Sequence, residues 1–446
     1  MRIKIKEPEQ FSIIFKTVIG VSLKMPVKGI TTDSRECKEG DLYIAISGNR
    51  LDGHEFLPKV TNKGAAAALV SKKNIKLDLQ QIELEDPQFS IGEVAKEWRR
   101  QFDIPIIAIT GSNGKTSTKE LLVHVLKSKY NVHATEGNFN TSVGLPLTLF
   151  LLDNNHTISV LEMGANQPGD IKYLCEIAEP THGLITNISP AHLSGFGTID
   201  MITETKGALF NSLTNGIAFV NMTDERVASI PISGRKITFG LTPDCDFPAD
   251  IHHENDGFLT LTVETYEIAT ESQNLSFAKN SIAVTSIAIS LDIDWTDVIS
   301  KISSFSPPEG RCKVKKFDAI TVIDDTYNAN LSSCIAALDY LKAFSGNGRR
   351  IFVFGDMFEL GNATEDQHKK VGYKCTEIEL DLVYTIGNNT KYTDYVVNRN
   401  IKSAHFEKPQ ELIDKLKNTL QAGDKVLFKG SRGMAMEKII EGVFLN

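Results

Sequence analysis

The chain has 446 residues, 41% of them hydrophobic and 23% charged, with a formal net charge of −8; this is an ordinary globular composition, too long for one core, and domains of roughly 100–200 residues imply about three. The acidic balance gives no reason to expect nucleic acid as a partner, though small anionic ligands need only local basic groups. The opening M-R-I-K-I-K-E-P-E-Q lacks the apolar centre of a secretory signal, and no apolar run approaches the ~18 residues of a membrane span. A cytoplasmic protein with no membrane insertion is therefore expected. Six cysteines (Cys37, Cys175, Cys245, Cys312, Cys334 and Cys375) are scattered without a C-x-x-C or close histidine partners, so neither a zinc site nor a disulfide framework is suggested.

Residues 1–81 read as a small mixed α/β unit. After an amphipathic opening comes G-I-T-T-D-S-R-E-C-K-E-G-D-L-Y-I-A-I-S-G-N-R-L-D-G-H-E-F-L, in which a strand over 42–46 is framed by turn residues. A later A-A-A-A-L-V is compatible with a helix end or a strand. Asp33, Ser34 and Arg35 before the 42–46 strand, and Ser47, Gly48, Asp52, Gly53 and His54 after it, place hydroxyls, an arginine and glycines at its two ends. Such loops can grip a diphosphate or a sugar, and equally serve as plain turns.

Residues 82–306 form a second unit, built around I-P-I-I-A-I-T-G-S-N-G-K-T-S-T-K-E-L-L-V-H-V-L-K-S-K at 104–129. The apolar run bounded by Pro105 and Gly111 predicts a buried strand, and Leu121, Leu122, Val125 and Leu126 give the following segment helical spacing. Between them lies a loop suited to phosphate. Gly111 and Gly114 let the backbone turn its amides inward, and the loop opens into a helix N-terminus that favours negative charge. Ser112, Asn113, Lys115, Thr116 and Ser117 complete it: Lys115 adds a point charge for the β- and γ-phosphates, and the Thr116 hydroxyl is placed for Mg²⁺. In the general pattern G-x-x-x-x-G-K-[ST] the first glycine would fall at Ile109, so T-G-S-N-G-K-T is a shorter form that keeps the amides, the lysine and the hydroxyl. The expected ligand is a nucleoside triphosphate.

Strands predicted at 131–135, 157–163, 183–188 and 217–221 alternate with helices at 168–179 and 199–213, which argues for a parallel sheet with helices on both faces. Ligands of such sheets bind beyond the carboxyl ends of the strands, where Asn138, Asn140, Glu162, Asn187, His192 and Lys206 are expected. Glu162, ending V-L-E, is either an acidic Mg²⁺ contact or a generic strand-end carboxylate. His192 is a candidate metal ligand or a structural loop histidine, and Lys206 lies in a helix where a surface lysine is the default. Residues 250–263 read as a hairpin and 281–291 as a buried helix. F-S-P-P-E-G-R at 305–311 reads as a linker.

Residues 307–446 repeat a doubly wound α/β pattern without a phosphate loop. Strands are predicted at 320–324, 351–355, 382–387 and 425–429, with helices at 332–344, 364–376, 409–420 and 434–444. The loops D-D-T-Y-N-A-N, G-D-M-F-E-L-G and K-G-S-R follow strands and face one edge, so two α/β units joined by a proline-rich hinge suggest a closing cleft.

T-D-S-R, G-D-L-Y-I-A-I-S-G, T-G-S-N-G-K-T-S-T-K-E, T-E-G-N-F-N, L-E-M-G-A-N-Q-P-G-D-I, I-T-N-I-S-P-A-H-L-S-G-F-G, E-G-R, D-D-T-Y-N-A-N, G-D-M-F-E-L-G and K-G-S-R occur in this order over nearly the whole chain. Together they resemble the ATP-dependent Mur ligases of bacterial cell-wall synthesis, most closely the members that join D-alanyl-D-alanine to UDP-N-acetylmuramoyl-tripeptide. The resemblance implies a three-domain α/β protein, with a UDP-muramoyl-binding N-terminal domain, a central P-loop-type ATP-binding domain and a C-terminal Rossmann-like domain, acting as a monomer. It implies ATP and two Mg²⁺ ions as cofactors. Lys115, His192 and Lys206 would be catalytic; Thr116, Glu162, His192 and a carbamylated Lys206 would hold metal. Arg311, Asp325 and Asn328 would reach ATP from the C-terminal domain, Ser34, Arg35 and the 47–54 loop would grip uridine diphosphate, and Asn138 and Asn140 would face the muramoyl substrate.

The implied chemistry is amide formation: a carboxylate attacks the γ-phosphate to give an acyl phosphate, and an amine then displaces phosphate. Thr141, Ala208, Leu331 and Cys312 depart from the family pattern without removing a phosphate or metal ligand. A ligase adding the third amino acid or a folylpolyglutamate synthase is the nearest rival, the former disfavoured because its D-N-P-R tract is absent; a nucleotide-hydrolysing switch is the rival of another class.

Overall fold

The computed structural model describes residues 2–48, 51–190, 193–344 and 346–445. Among them the chain forms three sheets, each completed before the next begins. The first has five strands, Arg2–Lys4, Gly29–Thr31, Asp41–Ile44, Ala67–Val70 and Gln81–Glu83, the outer pair antiparallel and the rest parallel. The A-A-A-A-L-V run is thus a strand, with all four residues of Ala67–Val70 buried. The helix Pro8–Ile19 starts on a proline, whose missing N–H has no partner to lose there, and stops at Gly20 with φ 77°, a left-handed cap open to glycine.

The second sheet has nine strands. In spatial order they are Tyr266–Ala269, Leu259–Val263, Phe247–His253, Arg235–Gly240, Ile217–Asn221, His182–Ile185, Ile106–Thr110, Ile158–Glu162 and Val132–Ala134. The parallel sheet continues at one edge into the hairpin expected at 250–263, and there the last two strands in sequence pair antiparallel. Their connections turn at Gly257 (φ 86°) and Glu264 (φ 53°), far too tightly for the crossover that parallel pairing requires. The third sheet runs Lys313–Phe317, Ile320–Asp325, Lys425–Lys429, Arg350–Gly355, Leu382–Ile386 and Lys402–Phe406, antiparallel only at its first pair. Its two edge strands, one rich in lysine and neither with a buried residue, carry too little apolar signal to be predicted.

The helix Pro87–Arg99, capped by the Asp86 carboxylate accepting from Gln88 N and Phe89 N, is also absent from the sequence reading. It has a decisive place. Trp98 on this helix packs edge-on against Phe150, and Phe150 against Phe11, so the apolar core runs without a break from Ile3 to Ile230 and covers both the first and the second sheet. Lys6 pairs with Asp153 across the same boundary. The third sheet instead keeps separate cores on its two faces. Between the helix Trp295–Ser303 and the strand Lys313–Phe317 the chain has no helix or strand. Among the described residues no helix is long and apolar enough to cross a membrane.

Because Phe11 is fully buried in the shared core, Phe11→Ala should cost about 3–5 kcal/mol. Urea unfolding followed by tryptophan fluorescence should show a lower midpoint with the first two sheets still melting together; a separate early transition of the first sheet would contradict a common core.

Candidate nucleotide and ligation site

All five residues of the strand Ile106–Thr110 are buried, and the chain leaves it at Gly111 with φ 145°. A Cβ there would lie 1.9 Å from Thr186 Oγ1, so only glycine fits. Ser112 N donates to Asn187 O (2.9 Å) and Asn113 N to Asn187 Oδ1 (3.1 Å), which ties the loop to the neighbouring strand end. Gly114, φ 81°, then starts the helix Lys115–Leu126, whose first-turn amides have no carbonyl one turn back. Lys115 Nζ donates to Gly111 O (2.7 Å) and Ser112 O (3.4 Å), curling over the loop. Burial pulls its pKa below the ordinary lysine value, with Glu162 opposing and Arg311 adding to the shift.

Glu162 ends the strand Ile158–Glu162 and is 3% exposed. Its Oε1 accepts from Asn140 Nδ2 at 2.6 Å, and its Oε2 is buried with no hydrogen-bond partner among the described residues. A hard carboxylate oxygen left free beside a phosphate loop fits Mg²⁺. Among the described residues no three His, Cys, Asp or Glu side chains cluster as a metal site, so phosphate and water would supply most of the coordination. The Thr116 hydroxyl accepts from Arg311 Nη2 at 3.1 Å. Lys206, on the helix Ile199–Ser212, is 3% exposed and has no hydrogen bond or ion pair among the described residues. Burial, and secondarily the Lys115 charge, pushes its amine well below the usual lysine range. His192 lies outside the described residues.

The third sheet closes the site from the opposite side. Arg311 lies over the Tyr327 ring at 3.8 Å, with Arg432 5.8 Å from the same ring. Asp325 Oδ1 accepts from Cys312 N (3.2 Å), and its Oδ2 pairs with Lys429, whose Nζ also donates to Asn328 O (3.0 Å). Cys312 sits at φ 55°, a conformation that costs a non-glycine residue energy, so the Asp325 carboxylate braces the strained linker that carries Arg311.

A cavity of about 700 Å³, the size of a small-molecule site, brings these groups together. Ser112 to Ser117, Asn138, Asn140 and Glu162 line one wall, and Arg311, Asp325 and Asn328 the other. Gly111 and Lys206 are buried and are not part of this lining. The sequence reading missed Asn274, Phe277, Asn280 and Phe305 of the same cavity, and placed Lys429 and Arg432 there only as part of the K-G-S-R loop. The Phe277 and Phe305 rings are stacked within 6° of parallel at 5.8 Å, and the only hint in the sequence was the aromatic residue heading the linker.

The N-terminal candidates form a separate cluster at the carboxyl edge of the first sheet. Asp52 Oδ1 accepts from Ser47 Oγ (2.9 Å), His54 N (3.0 Å) and His54 Nδ1 (2.7 Å), bonds that hold its carboxyl below the ordinary range. His54 Nε2 accepts from Ser71 N at 3.0 Å, fastening the Ser47–His54 loop, with Gly48 and Gly53, to the end of the strand Ala67–Val70. Ser34 is buried and lends its carbonyl to Lys63 Nζ (3.0 Å), and the exposed Arg35 pairs with Asp33. None of these side chains lines the 700 Å³ cavity.

Three family models match the chain in succession: "Mur ligase family, catalytic domain" over 26–97, "Mur ligase middle domain" over 109–288 and "Mur ligase, glutamate ligase domain" over 310–432. The UDP-N-acetylmuramoyl-tripeptide–D-alanyl-D-alanine ligase of Haemophilus influenzae is 34% identical over 98% of each chain. A crystal structure of MurF from Acinetobacter baumannii superimposes with a TM-score of 0.88 at 27% identity, over 98% of each chain. The MurF ligase of Thermotoga maritima in complex with ADP gives 0.81 at 29% identity, over 93% of this chain and 97% of that one. With a relative this similar along its entire length and all three family models in register, the chain belongs to the Mur ligase family.

Proposed function

We propose that this chain joins D-alanyl-D-alanine to UDP-N-acetylmuramoyl-tripeptide, with ATP cleavage driving amide formation, in the cytoplasmic synthesis of peptidoglycan precursors. The observation that carries this reading is a phosphate loop facing Arg311 and Asn328 across one cavity, in a chain similar from end to end to ligases of that name. ATP would lie with its phosphates on the first-turn amides of the helix Lys115–Leu126. Lys115 would exchange the Gly111 and Ser112 carbonyls for phosphate oxygens, and Arg311 would turn from Thr116 to the same charge. Magnesium, when bound, neutralises charge on the phosphates; Thr116 Oγ1 and Glu162 Oε2 would hold it, and Asn140 keeps the Glu162 carboxylate aimed.

The tripeptide carboxylate would take the γ-phosphoryl group to give an acyl phosphate, and the amine of D-alanyl-D-alanine would attack that carbonyl and expel phosphate. No protein nucleophile is required; alignment and charge neutralisation do the work. Asn138 would face the muramoyl peptide, and Ser34, Arg35 and the Ser47–His54 loop would grip the uridine diphosphate from the first sheet. The buried Lys206 amine, without a hydrogen bond or ion pair among the described residues, is suited to attack carbon dioxide and release a proton, which would give a carbamate for a second Mg²⁺.

Phosphate release in the presence of Mg²⁺ and ATP should require both UDP-tripeptide and D-alanyl-D-alanine. Release indifferent to added peptide would point to a nucleotide-hydrolysing switch. Lys115→Ala should lower turnover by on the order of 10²–10³-fold, the cost of one preorganised charge donor, and near-normal activity would refute the phosphate role. For Lys206, bicarbonate-dependent labelling should reveal a carbamate, and a short carboxylic acid should partly restore Lys206→Ala; a bare lysine in gentle mass analysis together with no rescue would exclude it.

A further inference from the structure

Among the described residues five cations line the cavity, Lys115, Lys279, Arg311, Lys429 and Arg432. Three of them are committed. Lys115 curls over the phosphate loop, Arg311 donates to Thr116 Oγ1, and Lys429, 2% exposed, pairs with Asp325. Arg432 is placed differently. It follows the strand Lys425–Lys429, its Nη1 donates to Glu437 Oε1 at 2.8 Å, and its Cζ stands 5.8 Å from the centre of the Tyr327 ring. Its Nε and Nη2, the pair that grips a carboxylate side-on, have no protein partner among the described residues. The root of the side chain is fixed: Ser431 N donates to Asp356 O (2.9 Å), and Ser431 Oγ accepts from Phe358 N (2.8 Å). A guanidinium held at one nitrogen by a carboxylate and flanked by an aromatic ring presents its remaining edge in a set direction. All of these contacts lie within the third unit.

The second substrate of the proposed reaction is a dipeptide whose amine must reach the acyl phosphate, while its other end carries a carboxylate that takes no part in the chemistry. Drawn out of water, that carboxylate needs a cation. The phosphates claim Lys115 and Arg311. Lys279 is an exposed ammonium on the helix Leu275–Ser290 of the second unit, a hydrated point charge that sets no direction. Arg432 offers a planar fork, which a carboxylate matches with two parallel bonds. The spacing agrees. Arg311 and Arg432 share the Tyr327 ring, at 3.8 and 5.8 Å from its centre, and a dipeptide extended end to end spans roughly 7 Å. A dipeptide anchored on Arg432 can therefore set its amine beside Arg311, where the phosphoryl charge would gather. We infer that Arg432 is a specificity-determining residue that binds the terminal carboxylate of the incoming D-alanyl-D-alanine, with Glu437 and Tyr327 fixing its fork. The identity of the dipeptide rests on the proposed ligase reading; the carboxylate subsite rests on Arg432 and its neighbours.

The test compares D-alanyl-D-alanine with D-alanyl-D-alaninamide, whose terminal carboxylate is replaced by a neutral amide, on the full-length parent and on Arg432→Gln, Arg432→Lys and Lys279→Ala. The Arg432 side chain is 61% exposed, so shortening it opens no hole in a core. With Mg²⁺, ATP and UDP-tripeptide saturating, the parent should favour the dipeptide over the amide on the order of 10–100-fold in kcat/KM, the worth of a charge-assisted pair. Arg432→Gln should lose that factor on the dipeptide, mainly through KM, and keep the parent's rate on the amide, so that the preference falls to about twofold or less. Arg432→Lys should hold an intermediate preference, because the charge remains and the fork does not. KM for ATP and for UDP-tripeptide should stay within about twofold in both variants, and Lys279→Ala should discriminate as the parent does. A preference that survives in Arg432→Gln, or is lost instead in Lys279→Ala, would overturn the subsite, and so would equal losses on both peptides. Calorimetric titration of each peptide into protein loaded with Mg²⁺·ADP and UDP-tripeptide separates the subsite from the reaction. Carboxylate-dependent binding that Arg432→Gln abolishes, in a parent that forms no amide bond, would sink the ligase reading and leave the subsite standing. Binding of the dipeptide to the parent no tighter than that of the amide would overturn the subsite whatever the activity.

Discussion

The central sheet ends in charged and polar groups that the protein does not neutralise by itself. Among the described residues Glu162 Oε2 is buried without a hydrogen bond, Lys206 is buried without a hydrogen bond or ion pair, and Lys115 bonds only to carbonyls of its own loop. Taking such groups out of water is costly unless something of opposite sign meets them. Every other feature of the cavity follows from that need: glycines that let backbone amides approach, a helix start that favours anions, and a guanidinium delivered from another domain. A triphosphate with a divalent cation supplies both signs at once. The structure thus invites its ligand by what it leaves unpaired.

The domain organisation divides rigidity from motion on simple grounds. The first and second sheets cannot separate without exposing the Phe11, Phe150 and Trp98 contacts, so the loops near Ser34 and His54 stand at a fixed distance from the phosphate loop. The third sheet has cores of its own and meets the second mainly through polar groups, which exchange partners with water at low cost. The third unit is therefore the one that can move against the other two at least cost. The strained Cys312, braced by Asp325 and Lys429, marks where the chain passes from one body to the other.

Several residues act by orienting others. Asn140 holds the Glu162 carboxylate, Asp325 holds the linker under Arg311, and Asp52 with His54 shapes the loop between them and fastens it to Ser71. A sequence motif records such residues alongside those that touch ligand and does not distinguish the two. The geometry does, because an amide or carboxylate already engaged by protein has fewer positions left for a ligand.

What the sequence by itself determined is what neighbouring residues decide. A buried apolar strand, a glycine-lysine turn and a helix start lie within one short stretch, so the strand Ile106–Thr110, the turn at Gly111 to Gly114 and the helix after it were legible, as were most strands and the polar residues that end them. The order of motifs was enough to place the chain in its family. Only the tertiary structure decided that the first two sheets share one core, that two hairpin strands extend the central sheet antiparallel, and that Phe305 stacks on Phe277. It alone joined Asn113 to Asn330, 217 positions apart. Contacts of that span leave no local periodicity and no spacing rule in the chain; they exist because separately formed elements dock with particular side chains facing, and docking is settled by packing and hydrogen-bond geometry in three dimensions.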